Sequence, residues 1–435
     1  MSQDISPSNP SKPLKIAIAG LGTIGSGVYQ VINSHRDNGH ALEVASIIEI
    51  NTEGPFAKPI HDQAPELFTN DLDAVLADAE ITVVVETVGG RGFAKTLIEK
   101  SLAAGKHVVT ANKDLIATNG KELQAIAEAN GVRLICEAAV AGAIPIIRLM
   151  ENYFHGEDIE RVVGILNGTT NYILSQMDSA KISFAEALSA AQGLGFAEAD
   201  PTNDVKGYDA RYKLVILTYL VTGHWIEVER IQVEGIDGLD LPDFEYAERL
   251  GRKIKLIACL KRDQGKIAAF VMPLMIDEHD PVAMVAGGTN IVTVSGKFSE
   301  DISLIGPGAG SLPTASAIVA DIQLAASGQK AVVPAKSTDS VELIPFADLE
   351  FRHTLRFEVN DQPGIIGSIG TILAENGISI YAIEQLPQYQ SGEDSGTAIF
   401  TATLDRCREG TIQSALDKIN KESYIAKPTA ILREL

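Results

Sequence analysis

The chain has 435 residues, 45% apolar and 21% charged, the composition of an ordinary folded protein with room for about two to four domains. Its net charge of −21 repels phosphate backbones, which excludes nucleic acid as an expected partner. The three cysteines, Cys136, Cys259 and Cys407, are odd in number and far apart, with neither a disulfide framework nor metal-ligand spacing; they fit a reducing compartment, and a cytoplasmic location is expected.

The first 13 residues, MSQDISPSNPSKP, are polar and rich in Pro and Ser. They lack the basic and apolar regions of a secretory signal, so a disordered tail is expected. No uncharged apolar run reaches the ~18 residues a spanning helix needs, and no membrane partner is expected.

Leu14–Ala19 then reads as a strand. Gly20, Gly22 and Gly25 follow in the spacing G-x-G-x-x-G, and behind them runs an apolar stretch at helical spacing. This order places a pyrophosphate on a helix N-terminus. Gly20 suits the tight turn, Gly22 the close approach of backbone to phosphate, and Gly25 the packing of helix on strand. An ordinary glycine-rich turn has the same look, so the pattern counts only together with its strand and helix. An acidic residue is expected at the end of the second strand. Glu49 stands there, after Val44–Ile48.

Further strands are expected at Ile81–Glu86, His107–Thr110 and Arg133–Cys136. Between them lie two helical segments, RGFAKTLIEKSLAAG and NGKELQAIAEANG, each closed by glycine. Strand–helix alternation over 14–136 predicts a Rossmann-like, doubly wound parallel sheet. Ligands of such sheets bind beyond the carboxyl ends of the strands, where ETVGG (Glu86–Gly90) and TANKD (Thr110–Asp114) fall. Lys113 in the second of these can reach a substrate carboxylate, a cofactor or a water. A plain surface lysine is the other reading.

The texture changes after Gly142. Strands and helices over 137–301 predict an α+β region on a mixed sheet. Within it, FAEADPTNDVKGYDARYKLVIL sets Glu198, Asp200, Asp204 and Asp209 close together, with Lys213 beyond. Asp209 and Lys213 are four apart and share a helix face. A helical salt bridge with solvated loop charges would look alike. The helix continues as LVILTYLV, however, which carries Lys213 towards an interior, and the carboxylates precede it in a Gly/Pro loop. A lysine beside carboxylates is held in its charged form, suited to protonate an alkoxide or polarise a carbonyl. Spare carboxylates suit an ammonium-bearing substrate. The eight histidines are scattered without ligand spacing.

About residues 302–330, GPGAGSLPTASAIVADIQLA and its flanks, form a glycine-rich turn and a helix, expected to return to the first domain. Residues 331–350 read as a linker. From Phe351 to Leu435 the order is βαββαβ, a ferredoxin-like unit.

The segments GLGTIG, TANKD, EAAVAGAIPII, LNGTTNYIL, AEADPTNDVKGYDARYKL and GPGAGSLPTASAIVADI occur in this order. Together they resemble homoserine dehydrogenase over about residues 14–330. The remainder resembles an ACT domain, with DQPGIIGSIGTILAENGISI in place of the usual D-x-P-G-V-L. The resemblance implies reversible interconversion of L-homoserine and L-aspartate 4-semialdehyde with NAD(P), in the aspartate pathway towards threonine and methionine. It makes 137–301 a substrate-binding and dimerisation domain and 351–435 a regulatory one. It implies a homodimer or homotetramer, with threonine as the expected effector.

Carried over by position, the resemblance makes Lys213 the general acid/base on the C4 oxygen. Glu198 and Asp209 bind substrate, supported by Asp204. Lys113 lies between cofactor and substrate, where it can help proton transfer. Thr23, Ile24, Thr87 and Gly306 match cofactor contacts. Glu137, Val140, Gly142 and Ile144 match the positions that hold a monovalent cation, usually Na⁺, at the domain hinge. Many relatives carry a basic residue at the end of the second strand, where it meets the 2′-phosphate of NADP. Glu49 stands there instead, so a preference for NAD(H) is expected. The alternative from another class is a non-catalytic, dinucleotide-binding amino-acid sensor; the intact lysine and carboxylates speak against it.

Overall fold

A computed structural model describes residues 13–34, 42–327, 341–385 and 396–434. The expected tail, apart from residue 13, and residues 331–340 of the expected linker lie outside the described residues. Two compact units divide the chain. The described residues of Met1–Gly156, Val215–Val228 and Gly306–Ser337 form one; those of Glu157–Leu214, Glu229–Ile305 and Thr338–Leu435 form the other.

The first unit is built on a six-stranded sheet. Its strands are β1 (Leu14–Ala19), β2 (Leu42–Ile48), β3 (Phe68–Thr69), β4 (Ile81–Glu86), β5 (His107–Thr110) and β6 (Leu134–Ile135), in the order β3-β2-β1-β4-β5-β6. Every pairing is parallel. Parallel strands are covered on both faces, which is why β1 and β4 read as near-continuous apolar runs and lie buried. The chain diverges to either side between β1 and β4, the switch point where such sheets bind dinucleotides. The expected return segment does pack here: the helix Ser311–Ala326 puts Ala315, Ile318 and Ile322 into one core with Ile16, Ile18 and Val28.

Two features differ from the sequence reading. The helix expected from Asn119 starts at Lys113, with Asn112 as its cap: the Asn112 side chain accepts from Leu115 N at 3.2 Å. Gly120 therefore sits inside the helix, where the Trp225 ring lies so close that a Cβ would come within 2.4 Å of it. Trp225 in turn stacks on Tyr219, with centroids 4.2 Å apart. Glu137–Gly156 and Val215–Val228, placed by sequence with the substrate region, pack in the dinucleotide unit.

The second unit carries β7 (Ile159–Ile165), β8 (Gln232–Val233), β9 (Arg252–Asp263), β10 (Lys266–Asp277), β11 (Thr289–Gly296) and β12 (Glu300–Pro307). β9 and β10 form a long antiparallel hairpin. Its two-residue loop, Gln264–Gly265, has φ of 48° and 81°, the mirror-image turn that matches strand twist. Then come β13 (Glu342–Leu343), β14 (Glu350–Asn360), the helix Ile365–Glu375, β15 (Ile380–Glu384), β16 (Thr397–Leu404), β17 (Cys407–Arg408), the helix Glu409–Ile419 and β18 (Ile425–Glu434). This is the expected βαββαβ order, with β17 as a two-residue addition.

The sheet runs β12-β11-β7-β9-β10-β18-β14-β16-β15. The ferredoxin-like module thus continues the substrate sheet: β18 pairs with β10 through Leu274–Arg433 and Met275–Glu434. Phe351, at the start of the module, is buried in the core beneath β9 and β10. Among the described residues no helix is long and apolar enough to cross a membrane.

Candidate active site

In the first unit, the carboxyl ends of the strands converge on the glycine turn. Gly20 has φ +88°, and a Cβ there would lie 2.9 Å from the Thr87 backbone; at Gly25 it would lie 1.9 Å from Gly20 O. Gly22 differs: nothing lies within 4 Å of where its Cβ would stand. Two glycines close the turn and the third leaves it open, the cradle that a pyrophosphate needs ahead of the helix Thr23–Ser34. The Glu49 carboxylate reaches back to this turn, accepting from Leu21 N at 2.7 Å and Asn51 N at 2.8 Å. Thr87 Oγ1 donates to Gly20 O at 2.8 Å and fixes the neighbouring loop.

A cavity of about 220 Å³ opens beside the turn, lined by Ile24, Glu86, Thr87, Asn112 and Lys113 among others. The structure thus gathers Gly20, Gly22, Thr23, Ile24, Gly25, Glu49, Thr87 and Lys113 into one region. Glu86, which sequence reading left without a role, is fully buried at the end of β4. It accepts from Thr110 Oγ1 at 2.6 Å and Gly89 N at 2.8 Å, and so shapes the cavity wall.

Glu137–Ile144 form a tight loop in the same unit. Ala141 and Gly142 are both left-handed, with φ of 55° and 60°. A Cβ on Gly142 would come within 2.7 Å of Gly308 O, and Ala143 N donates to Pro307 O at 3.2 Å. Gly306 lies beside Ile144: a Cβ on it would be 3.1 Å from Ile144 Cγ1. The Glu137 carboxylate turns to the start of the helix Ile146–Asn152, accepting from Ile147 N and Arg148 N, each at 2.8 Å. Burial, then the charge of Asp321, pushes it up to about 8. It is committed to capping that helix, so a cation here would fall to main-chain carbonyls.

The second unit holds the lysine and carboxylates. Lys213 Nζ donates to Asp209 Oδ2 and to Leu166 O, both at 2.6 Å. Asn167 Nδ2 donates to Asp204 Oδ1 at 2.6 Å and to Asp209 Oδ2 at 2.9 Å. Lys213 and Asp209 are buried on the helix Tyr208–Thr222. Burial and the nearby Asp209 push the Asp204 carboxyl above its ordinary value. Asp200 accepts from Thr202 N and Oγ1 and caps a turn. Glu198 lies exposed on the preceding loop.

Asn167 is another residue that sequence reading left without a role. Its Oδ1 caps the helix Gly168–Ala180 by accepting from Thr170 N at 2.8 Å, which aims the amide nitrogen at both aspartates. The signal present in sequence was the cap itself, a strand followed by Asn-Gly-Thr-Thr.

Lys255 supports the same region from β9. Its Nζ donates to Val285 O at 2.7 Å and Asn171 Oδ1 at 3.2 Å, and Asn171 Nδ2 donates to Thr289 O at 3.1 Å. Burial pushes Lys255 down to about 8. Its charged form is therefore disfavoured in the folded state. As pH rises from about 8 towards the ordinary lysine value of about 10.4, the unfolded chain holds more of this proton, so folding gains stability, by at most about 1.4 kcal/mol per pH unit. Lys255→Met lacks this term. The wild-type melting temperature minus that of the variant is expected to grow across this window; a constant difference would contradict it.

Comparison with known proteins places these features together. The model of the homoserine dehydrogenase NAD-binding domain matches residues 20–137, that of homoserine dehydrogenase matches 145–323, and that of the ACT domain matches 353–422. The chain is 36% identical to homoserine dehydrogenase of Synechocystis sp., covering 97% of this chain and 99% of that one. It is 37% identical to the Bacillus subtilis enzyme, over 86% and 88%. Among solved structures, homoserine dehydrogenase from Thiobacillus denitrificans is similar with a TM-score of 0.88 at 34% identity, over 98% of each chain. A hyperthermophilic archaeal homoserine dehydrogenase in complex with NADPH is similar with a TM-score of 0.63 at 26% identity, over 74% of this chain and 99% of that one. A switch-point glycine cradle, a buried lysine among carboxylates and near-full-length likeness agree: the chain belongs to the homoserine dehydrogenase family.

Proposed function

We propose that Lys213 moves the proton at the C4 oxygen as L-homoserine and L-aspartate 4-semialdehyde interconvert. The observation that carries this is its 2.6 Å contact with Asp209 inside a buried cluster completed by Asn167 and Asp204. Asp209 and Glu198 take the polar groups of the substrate, and Asn167 with Asp204 holds Asp209 in place. In reduction the charged Lys213 gives a proton to the carbonyl oxygen; in oxidation its neutral form, the proton having first left to solvent, takes the hydroxyl proton and is charged again. The nicotinamide, when bound, supplies the hydride chemistry. Gly20, Gly22, Gly25 and the start of the Thr23–Ser34 helix hold its pyrophosphate; Ile24, Thr87 and Lys113 line the adjoining cavity. A non-catalytic sensor has no use for a buried lysine held against carboxylates. Adding small primary amines to Lys213→Ala tests the proton role: partial recovery of turnover is expected, and no recovery at any amine concentration speaks against it.

Glu49 supports a preference for NAD(H). Its carboxylate accepts from Leu21 N and Asn51 N at the glycine turn; its remaining lone pairs suit ribose hydroxyls and its charge repels a 2′-phosphate. Every ~1.4 kcal/mol of differential binding is tenfold. The ratio of kcat/KM for NAD⁺ over NADP⁺ is expected to be about tenfold or more in wild type and to fall or invert in Glu49→Arg. A wild type that clearly prefers NADP⁺, or a variant with unchanged ratio, would remove Glu49 from cofactor choice.

The reading extends to Na⁺ on the main-chain oxygens of Glu137, Val140, Gly142 and Ile144, to threonine as an effector of the ACT module, to a homodimer or homotetramer, and to the cytoplasm as location.

A further inference from the structure

One ion network, buried except at Glu234, takes no part in the chemistry above. Arg433, on β18 of the ACT module, is 2% exposed. Its Nε and Nη2 donate to the two oxygens of Glu409, at 2.9 and 2.7 Å. Glu409 also meets His353 Nε2 at 2.9 Å. The remaining arm of the guanidinium, Nη1, leaves the module and donates to Glu234 Oε2 at 2.7 Å.

Glu234 directly follows β8, and its neighbours lean on the substrate loop. Glu234 N donates to Val271 O at 2.8 Å, which ties it to β10. Ile236 N donates to Val205 O at 2.8 Å. A Cβ on Gly235 would stand 2.6 Å from Val205 O and 2.9 Å from Lys206 Cα, so the two backbones touch. Gly207, with φ +79°, packs against Val233 from the other side. Val205–Gly207 is the turn that joins Asp204 to the helix bearing Asp209 and Lys213. The stretch Val233–Ile236 is thus fixed at one end by Arg433 and braces that turn along its length.

We propose that Glu234, anchored by Arg433, is a positioning residue for the homoserine site, acting through the backbone of Gly235 and Ile236 on the loop that sets Asp204 and Asp209. This rests on the assignment of Asp204, Asp209 and Lys213 to the substrate. Without its partner the Glu234 carboxylate no longer holds the strand end, and the braced turn is free to drift. A misplacement of ~1 Å at a reacting site costs about 100-fold, so a partial drift costs less but is measurable.

The test uses full-length Glu234→Ala, Glu234→Gln and Arg433→Lys. Gln keeps an acceptor for Nη1 and Ala does not; Lys keeps a charge but cannot fork to two carboxylates. The KM for L-homoserine is expected to rise about tenfold in Glu234→Ala and Arg433→Lys and less in Glu234→Gln, while the KM for the dinucleotide stays within about twofold. The double variant is expected to be no worse than the worse single one, as for two ends of one contact. An unchanged homoserine KM in Glu234→Ala overturns the inference. So does an equal rise in both KM values, the sign of general loosening. Lys213→Ala, assayed alongside, separates the two readings: if it stays active, the site assignment itself fails, whatever Glu234 does.

Discussion

Lys213→Ala is expected to lower the turnover of L-homoserine by roughly 10²–10⁴-fold, the usual worth of a positioned acid or base. The side chain is 7% exposed, and its two partners, Asp209 and Leu166 O, point it to one place. The fold is expected to survive, because Asn167 still donates to Asp209 when the lysine is gone. Cofactor affinity is expected to hold as well, since the glycine turn and Glu49 are built from the other unit. Turnover at saturating substrate, with dinucleotide binding and thermal unfolding as controls, checks this. Near-normal turnover would remove Lys213 from the mechanism.

Phe351→Ala is expected to cost about 3–5 kcal/mol of stability, the range for emptying a buried aromatic site. Phe351 is 6% exposed and meets Phe270 of β10 edge to face, with ring centroids 5.6 Å apart; Phe346 lies at 6.3 Å. Val163, Ile257, Met272 and Ile291 belong to the same core. The residue opens the ACT module in sequence, yet it fills the core of the substrate sheet. A chain shortened to end at residue 340 is therefore expected to melt well below the full chain, even before any question of effector binding. Thermal unfolding of both variants decides this. A shortened chain that melts with the full one would show the module to be independent, and Phe351→Ala without effect would show the contact to be idle.

The legible parts of this molecule were the local ones. β1, β4 and β5 stand where continuous apolar runs placed them, since parallel strands covered on both faces carry that pattern plainly. The glycine turn and the Asp209–Lys213 pair were legible because three- and four-residue spacings map directly onto a turn and a helix face. The illegible parts depend on residues far apart in the chain. Asn167 meets Asp204 and Asp209 across 37 and 42 residues, and Lys255 meets Asn171 across 84. No local period marks such pairs. The helix from Lys113 was read only from Asn119, although Asn112 caps it at Lys113; Gly120 sits inside it, and Trp225 packing on it supplies the reason for a glycine there. The separate look of the ACT module came from its βαββαβ order behind a linker-like stretch, while β18 on β10 and Phe351 on Phe270 are decided by packing.

The most direct measurement is of the full-length wild type with L-homoserine and each dinucleotide in turn, following reduced cofactor and aldehyde product together. The account predicts homoserine-dependent reduction, one aldehyde formed for each cofactor reduced, reversed when L-aspartate 4-semialdehyde and reduced cofactor are supplied instead. A folded, dinucleotide-binding protein that reduces neither cofactor in the presence of homoserine would contradict it.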